Sequence, residues 1–226
     1  MKYEILKLLK EKRDYISGEE MAKHFGVSRT AVWKNITKLK NEGYNIKSVS
    51  NKGYFLEETN DILNISEIEY DNTLFLETID STNEECKRQA VKGKNDGLLV
   101  VCDYQSAGKG RLGRTWVAES HDNLCMSFLL YTDISPMKAP QLTLLTGMAV
   151  CEAIKEVTGL NAGIKWPNDI LVNGKKVVGI LTELSAEIDC IKYVVVGIGI
   201  NVNNSSFSEE LKNKADCKIP TLEEVL

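Results

Sequence analysis

Up to about position 40 the apolar residues recur every three or four positions, and beyond about position 70 they fall in short continuous runs. A small helical segment is therefore expected ahead of a larger, strand-rich one. Ile5, Leu6, Leu8 and Leu9 form a first helical stripe. Ser17 and Glu20 are spaced as a capping box ahead of Met21, Ala22 and Phe25, and Gly26 breaks that second helix. Ser28 is placed to cap a third, from Arg29 to about Lys40, whose apolar face is Val32, Ile36 and Leu39. Gly43 ends it, and Asn45–Val49 and Tyr54–Leu56 read as two short strands around Asn51-Lys52-Gly53. Helix, helix–turn–helix and hairpin, in that order, predict a winged helix-turn-helix over residues 1–60.

Residues from about Thr59 to Ser66 read as a connector, after which the pattern changes. Thr73–Ile79 is strand-like, Ser81 or Thr82 begins a helix to about Lys92, and Leu98–Tyr104 and Leu124–Tyr131 are buried-strand runs. Pro136 to about Val157 reads as one long helix and Ala162–Trp166 as extended chain. Ile170–Val172 and Lys175–Glu183 flank Asn173-Gly174, the strongest hairpin signal present, and Ile191–Val202 is a further strand. This mixture predicts an α+β domain over residues 61–226, a mixed or antiparallel sheet with flanking helices.

Charge changes the picture of the first segment. Residues 1–58 carry 12 Lys and Arg against 8 Asp and Glu, leaving 16 basic and 24 acidic residues in the remainder. A basic segment ahead of an acidic body points to nucleic-acid contact confined to the N-terminal part. On the third helix Ser28, Arg29, Thr30, Lys34, Asn35 and Lys38 lie off the apolar face, free to reach bases or phosphates. Lys47, Asn51 and Lys52 would decorate the wing. The competing readings are that these side chains only solvate a small helical bundle, or that the wing mediates protein contacts.

Composition excludes other classes. No apolar run is long enough to span a bilayer, and the first residues lack a cleavage site, so a cytoplasmic protein without a membrane partner is expected. Cys86, Cys102, Cys125, Cys151, Cys190 and Cys217 are scattered, which suits reduced, mostly buried thiols. With only His24 and His121, a multi-histidine metal site is nearly excluded and no metal ligands are assigned.

The candidate chemistry lies in five stretches. Gly108-Lys109-Gly110-Arg111-Leu112-Gly113-Arg114-Thr115-Trp116 combines three glycines, able to turn sharply and offer backbone N–H groups to an anion, with three cations that repel one another unless an anion neutralises them. Its spacing imitates a dinucleotide loop, but Arg114-Thr115-Trp116-Val117 does not open a helix as that loop must. The plain alternative is a flexible basic surface loop. In Lys165-Trp166-Pro167-Asn168-Asp169, Asn168 is suited to phosphate or ribose and Asp169 to orienting a lysine or a metal-bound water; otherwise Trp166 is core and Asn-Asp caps a turn. Lys175 and Lys176 enter the apolar strand Val177–Leu181, where a lysine either snorkels or meets a fixed negative charge, and Gly179 would let a ligand lie close. Gly197 and Gly199, ending in Asn201, read either as close approach to a phosphate or flat ring, or as a relieved strand bend. Asp80-Ser81-Thr82-Asn83 opens a helix, where Ser81 or Thr82 is an ordinary N-cap or binds a polar heterocycle.

In order and spacing these elements resemble the bifunctional biotin–protein ligase and biotin-operon repressor family, most specifically in GKGRLGRTW followed by KWPND. The resemblance implies a class II synthetase-like core. It implies biotin contacts from Ser81, Thr82, Asn83, Gln105, Lys109, Gly110, Arg111 and Lys176, and nucleotide contacts from Arg114, Trp116, Asn168 and Asn201. Arg111 and Lys176 would be catalytic, screening the biotin carboxylate from the α-phosphate of ATP with Mg2+ while biotinyl-5′-AMP forms. A lysine of a biotin carboxyl carrier domain would then accept the acyl group. The adenylate would also favour a homodimer that holds operator DNA and represses biotin genes. Lys109 stands where the family often has Arg, and Leu112 where another basic residue is frequent. The family's usual small C-terminal β domain is expected to be absent after Thr221–Leu226, which puts ligation in doubt and leaves a non-catalytic biotin sensor as the alternative. Lipoyl or octanoyl transfer on the related fold fits the winged helix and the GKGRLGRTW loop less well.

Overall fold

The structure, a computed structural model, describes residues 1–57, 62–65, 68–93, 95–118, 122–187 and 190–203. Half of the expected connector, His121, Cys217 and the end of the chain lie outside the described residues. The chain divides into two compact units, Met1–Glu67 and Ile68–Leu226.

In the first unit three helices form, α1 (Lys2–Lys12), α2 (Gly18–Phe25) and α3 (Arg29–Asn41). The predicted caps are made: Ser17 Oγ accepts from the Glu20 amide at 3.0 Å and Ser28 Oγ from the Ala31 amide at 3.1 Å. Gly26, at φ +65°, terminates α2 in the left-handed conformation that glycine tolerates best. Strands β1 (Ile46–Val49) and β2 (Gly53–Leu56) pair antiparallel as the wing. Two backbone hydrogen bonds of 2.9 Å between Ile16 and Tyr54 tie the wing to the segment before α2. Gly53 permits this: a Cβ there would stand 2.1 Å from the Ile16 carbonyl oxygen, at φ +110°. Ile5, Leu6, Leu9, Met21, Val32, Ile36 and Leu39 close a single core under the helices.

The second unit is a seven-stranded mixed sheet, in order β3-β4-β5-β9-β8-β7-β6. The strands are β3 (Thr73–Ile79), β4 (Leu98–Gln105), β5 (Asn123–Leu130), β6 (Ala162–Lys165), β7 (Asp169–Val172), β8 (Lys175–Ala186) and β9 (Ile191–Asn201). Among the described strands only β3 and β4 are parallel, and α4 (Thr82–Lys92) is the crossover that a parallel pair requires. Asn173 and Gly174 both have positive φ, so the β7–β8 hairpin turns as its sequence predicts. The expected helix from Pro136 splits into a short 3₁₀ turn, Pro136–Lys138, and α5 (Ala139–Thr158). Each helix covers one face: Cys86 of α4 packs with Val100, Leu129 and Val195, whereas Ile154 of α5 packs with Ile170, Ile180, Val196 and Ile198. Along β9 successive residues therefore serve opposite faces, and Gly197, Gly199 and Asn201 share the α4 face.

Candidate functional site

On α3, Ser28, Arg29, Thr30, Lys34 and Lys38 are exposed. Asn35 is half-buried and donates its amide to the Ala31 carbonyl at 2.7 Å, so this expected base reader is engaged with its own helix. On the wing, Lys47 is ion-paired with Glu57, and Lys52 lies over the Tyr15 ring. Lys40 links α3 to the wing through Ser48 at 2.9 Å.

In the sheet unit Ser81, Thr82 and Asn83 at the start of α4, and Gln105 at the end of β4, are among the most buried polar groups of the described residues. The Thr82 amide donates to Gln105 Oε1 at 2.8 Å, and Asn83 Nδ2 donates to Glu183 Oε2 at 2.8 Å. Ser127 Oγ lies 2.7 Å from Thr82 Oγ1 and 2.6 Å from Asn83 Oδ1, one of which takes its single proton. The ordinary-cap reading gives way here: Ser81 holds the N-cap position without a side-chain cap bond, and the Thr82 hydroxyl serves Gln105 and Ser127. Arg88 grips Asp80 with two bonds of 2.7 and 2.9 Å, holds its carboxyl down at about 2, and so braces the turn into α4.

The glycine-rich stretch is a closed hairpin. The Trp116 amide donates to the Gly108 carbonyl at 2.9 Å and the Gly110 amide to the Arg114 carbonyl at 2.8 Å, with a 3₁₀ turn at Arg111–Gly113. The Gly110 N–H is used within the loop instead of facing an anion, because the tight hairpin satisfies it locally. Of the three cations, Lys109 pairs with Glu84 at 2.7 Å, while Arg111 donates to the neutral Asn168 Oδ1 at 2.7 Å and keeps its charge unneutralised among the described residues. Lys109, and after it Lys87, hold the Glu84 carboxyl below the usual carboxylate range. The Arg114 side chain makes no hydrogen bond or ion pair among the described residues. A cavity of about 620 Å³ lies between residues 107–115 of this loop and Leu181–Glu183 of β8.

At the other end of the cleft stands Lys176. Its Nζ is 2.8 Å from Asp169 Oδ1, an ion pair by distance whose angles leave that oxygen without a formed hydrogen bond, and 5.9 Å from the Trp116 ring. The fixed negative charge expected for a lysine on this strand is thus Asp169. Trp166 is 76% exposed, so its core reading is excluded. Asn168 receives Arg111 and donates to the Ile180 carbonyl at 3.2 Å, locking the loop to β8. The glycines make room for the protein's own side chains: added Cβ atoms would stand 2.8 Å (Gly179) and 2.4 Å (Gly199) from the Trp116 indole, and 2.1 Å (Gly197) from Asn83 Oδ1. Gly179 and Gly199 are direct partners across β8 and β9, so the indole rests on a two-glycine floor.

Sequence reasoning missed Ser127, Glu183 and Glu84. Ser127 and Asn123 alternate with Cys125 and Leu129 on the buried side of β5, and polar residues on a buried strand face were the available signal. Burial pushes the Cys86 and Cys125 thiols up to about 12, which leaves them unreactive. Among the described residues no three His, Cys, Asp or Glu side chains gather as a metal site, and no helix is long and apolar enough to cross a membrane.

Residues 75–201 match the Biotin/lipoate A/B protein ligase family, and residues 2–55 match an HTH domain. The chain is 43% identical over 212 residues to the bifunctional ligase/repressor BirA of Bacillus subtilis (strain 168), covering 89% of this chain and 65% of that protein. It is 31% identical to that of Escherichia coli (strain K12), with 89% and 64% covered. The chain therefore spans just under two thirds of the length of these relatives. Among solved structures, the biotin protein ligase of Aquifex aeolicus in complex with biotin and ATP aligns with a TM-score of 0.56 at 37% identity, covering 69% of this chain and 61% of that one. The Leishmania major enzyme in complex with biotinyl-5-AMP gives 0.57 at 27% identity, covering 69% and 65%.

Proposed function

The chain belongs to the biotin/lipoate A/B protein ligase family, and from that premise we propose that it is an ATP-dependent biotin–protein ligase and a biotin-responsive repressor. One observation carries the reading. A neutral hydrogen-bonding cluster (Thr82, Asn83, Gln105, Ser127) and a cationic pair (Lys176, Arg111) lie on one sheet face, on either side of a floor built from glycine. Such a cleft suits a molecule with a polar heterocyclic head and an anionic tail, which describes biotin.

Biotin's carboxylate is its own nucleophile. One of its oxygens forms a bond to the α-phosphorus of ATP, the bond from that phosphorus to the bridging oxygen breaks, and pyrophosphate leaves. Lys176, oriented by Asp169, and Arg111, held by Asn168, screen the two anions from each other. Thr82, Asn83 and Gln105, with Ser81 beside them, hold the heterocycle, while Lys109 and Gly110 shape the loop over it. Arg114, Trp116, Asn168 and Asn201 are assigned to the nucleotide. Mg2+ would accompany ATP and would neutralise charge on its phosphates. An amine of a carrier-domain lysine then attacks the mixed anhydride, AMP leaves, and an amide forms.

For the N-terminal unit, the exposed Arg29, Thr30, Lys34 and Lys38 on a capped helix beside a wing support operator binding. A ligand-favoured homodimer would place two such helices on successive half-sites. The setting we propose is the cytoplasm, where ATP and the carrier domain meet.

The test incubates the protein with biotin, MgATP and an apo carrier domain. Biotin-dependent pyrophosphate release and labelled carrier are expected. Adenylate without labelled carrier would replace transfer with sensing, and no biotin binding by calorimetry would discard both. Separately, operator binding is expected to strengthen with biotin plus ATP and to weaken about tenfold in Arg29→Ala, whether that side chain reads a base or a phosphate. An affinity that ignores the ligands breaks the proposed coupling.

A further inference from the structure

Among the described residues of the sheet unit, buried side-chain polar atoms without a hydrogen bond occur on Trp116, Asp169 and Asn123. They gather in one place. Asp169, Gly179, Gly199 and Cys125 are successive partners across β7, β8, β9 and β5, with Trp116 lying on the two glycines. Asn123 is the next residue on the same face, directly opposite Asn201. Asp169 has Lys176 beside it, but Asn123 has neither end of its amide satisfied although only 6% of the residue is exposed. An amide buried with donor and acceptor both unmet is costly, and a leucine would fill that space without the cost. Such breaches of the ordinary rules for a core concentrate where a ligand completes the bonding.

The direction of the side chain follows from strand alternation. Asn123 is on the same face of β5 as Ser127, whose hydroxyl meets Thr82 and Asn83, and as Leu129, which packs under α4. It lies four residues from Ser127, about 13 Å along the strand, and so marks the end of the cleft remote from the heterocycle-binding cluster. A molecule with its head at Ser127 and its reacting centre at Lys176 would bring the next portion of its length to Asn123 and Asn201. In an acyl-adenylate that portion is the nucleoside, whose amino-purine edge and sugar hydroxyls offer both donors and acceptors.

We propose that Asn123 is a nucleoside-binding residue, its amide left unpaired in the free protein because the adenosine half of the nucleotide completes its hydrogen bonds. This rests on the ligase reading above and extends the nucleotide site beyond the residues already assigned to it.

The experiment compares Asn123→Leu with the unaltered full chain, using free biotin and a sulfamoyl-linked biotinyl-adenosine as probes, with thermal unfolding measured without ligand. The proposal requires two effects of opposite sign. Asn123→Leu unfolds at the same or a higher temperature, because unpaired polar atoms leave the interior. It also binds the adenosine conjugate about tenfold more weakly while binding biotin as before. A lowered unfolding temperature with unchanged conjugate affinity would show a structural amide and overturn the proposal, as would equal losses for the two probes. Should the leucine fail to pack, Asn123→Ala, which adds no bulk, must show the same selective loss for the conjugate. If the unaltered protein binds neither probe, the ligase reading itself has failed; if it binds biotin and gains nothing from the adenosine, the nucleoside site has.

Discussion

Lys176→Met is expected to lower biotin-dependent pyrophosphate release by about 10³-fold while leaving biotin affinity within a few-fold of the unaltered protein. Methionine keeps the length and apolar body of the stem and removes only the ammonium. That ammonium is 2.8 Å from Asp169 and faces the Trp116 ring, at the end of the cleft away from the Thr82–Asn83–Ser127 cluster. Losing one well-placed donor to developing phosphoryl charge typically costs about 10² to 10³ in rate, and here two anions are also left unscreened. On the proposed reading biotin is held chiefly by the neutral cluster, so its binding should survive. The substitution also strips Asp169 of its counter-charge, at a cost of about 1–3 kcal/mol in stability, so unfolding has to be measured alongside. Lys176→Arg separates charge from shape: it restores the charge with a planar fork that fits Asp169 differently, and intermediate rates are expected. If Lys176→Met released pyrophosphate at an undiminished rate, Arg111 would have to carry the charge alone, and the catalytic assignment would move to the loop.

What was legible in the chain followed from how local its causes are. The helix–turn–helix could be read residue by residue because Ser17 and Ser28 accept from amides, and Gly26 donates to carbonyls, within three or four positions of themselves. The Asn173-Gly174 turn was legible for the same reason. Less legible was everything decided by register between distant strands. That Lys176 meets Asp169 depends on a bulge between β7 and β8, and that Ser127 meets Asn83 depends on α4 crossing β5. The glycines show the limit most clearly. A strand glycine announces a close approach but not by what, and at Gly179 and Gly199 the visitor is Trp116, more than sixty residues upstream. The cations of the loop illustrate the same point. Their mutual repulsion was evident, but the acid that relieves Lys109 is Glu84 on another element.

Gly197→Ala is expected to weaken biotin binding by about 10²-fold. Gly197 has no unusual φ, so the backbone accepts alanine without strain and the consequence is steric alone. The new Cβ would stand 2.1 Å from Asn83 Oδ1 and 2.9 Å from its Cγ, well inside contact distance. Asn83 cannot rotate away freely, because Ser127 holds its oxygen and Glu183 its nitrogen. The first turn of α4 must therefore retreat by about 1 Å, taking Thr82 off Gln105, and a displacement of that size at a positioned group is enough for the predicted loss. Overpacking should also cost about 1–3 kcal/mol in stability. Gly163→Ala is the control, since a Cβ on that strand meets nothing within 4 Å. It should bind biotin normally. The comparison is decisive in both directions: a Gly197→Ala protein that is destabilised yet binds biotin with full affinity would mean that Asn83 only braces α4, and the polar cluster would lose its claim to the ligand.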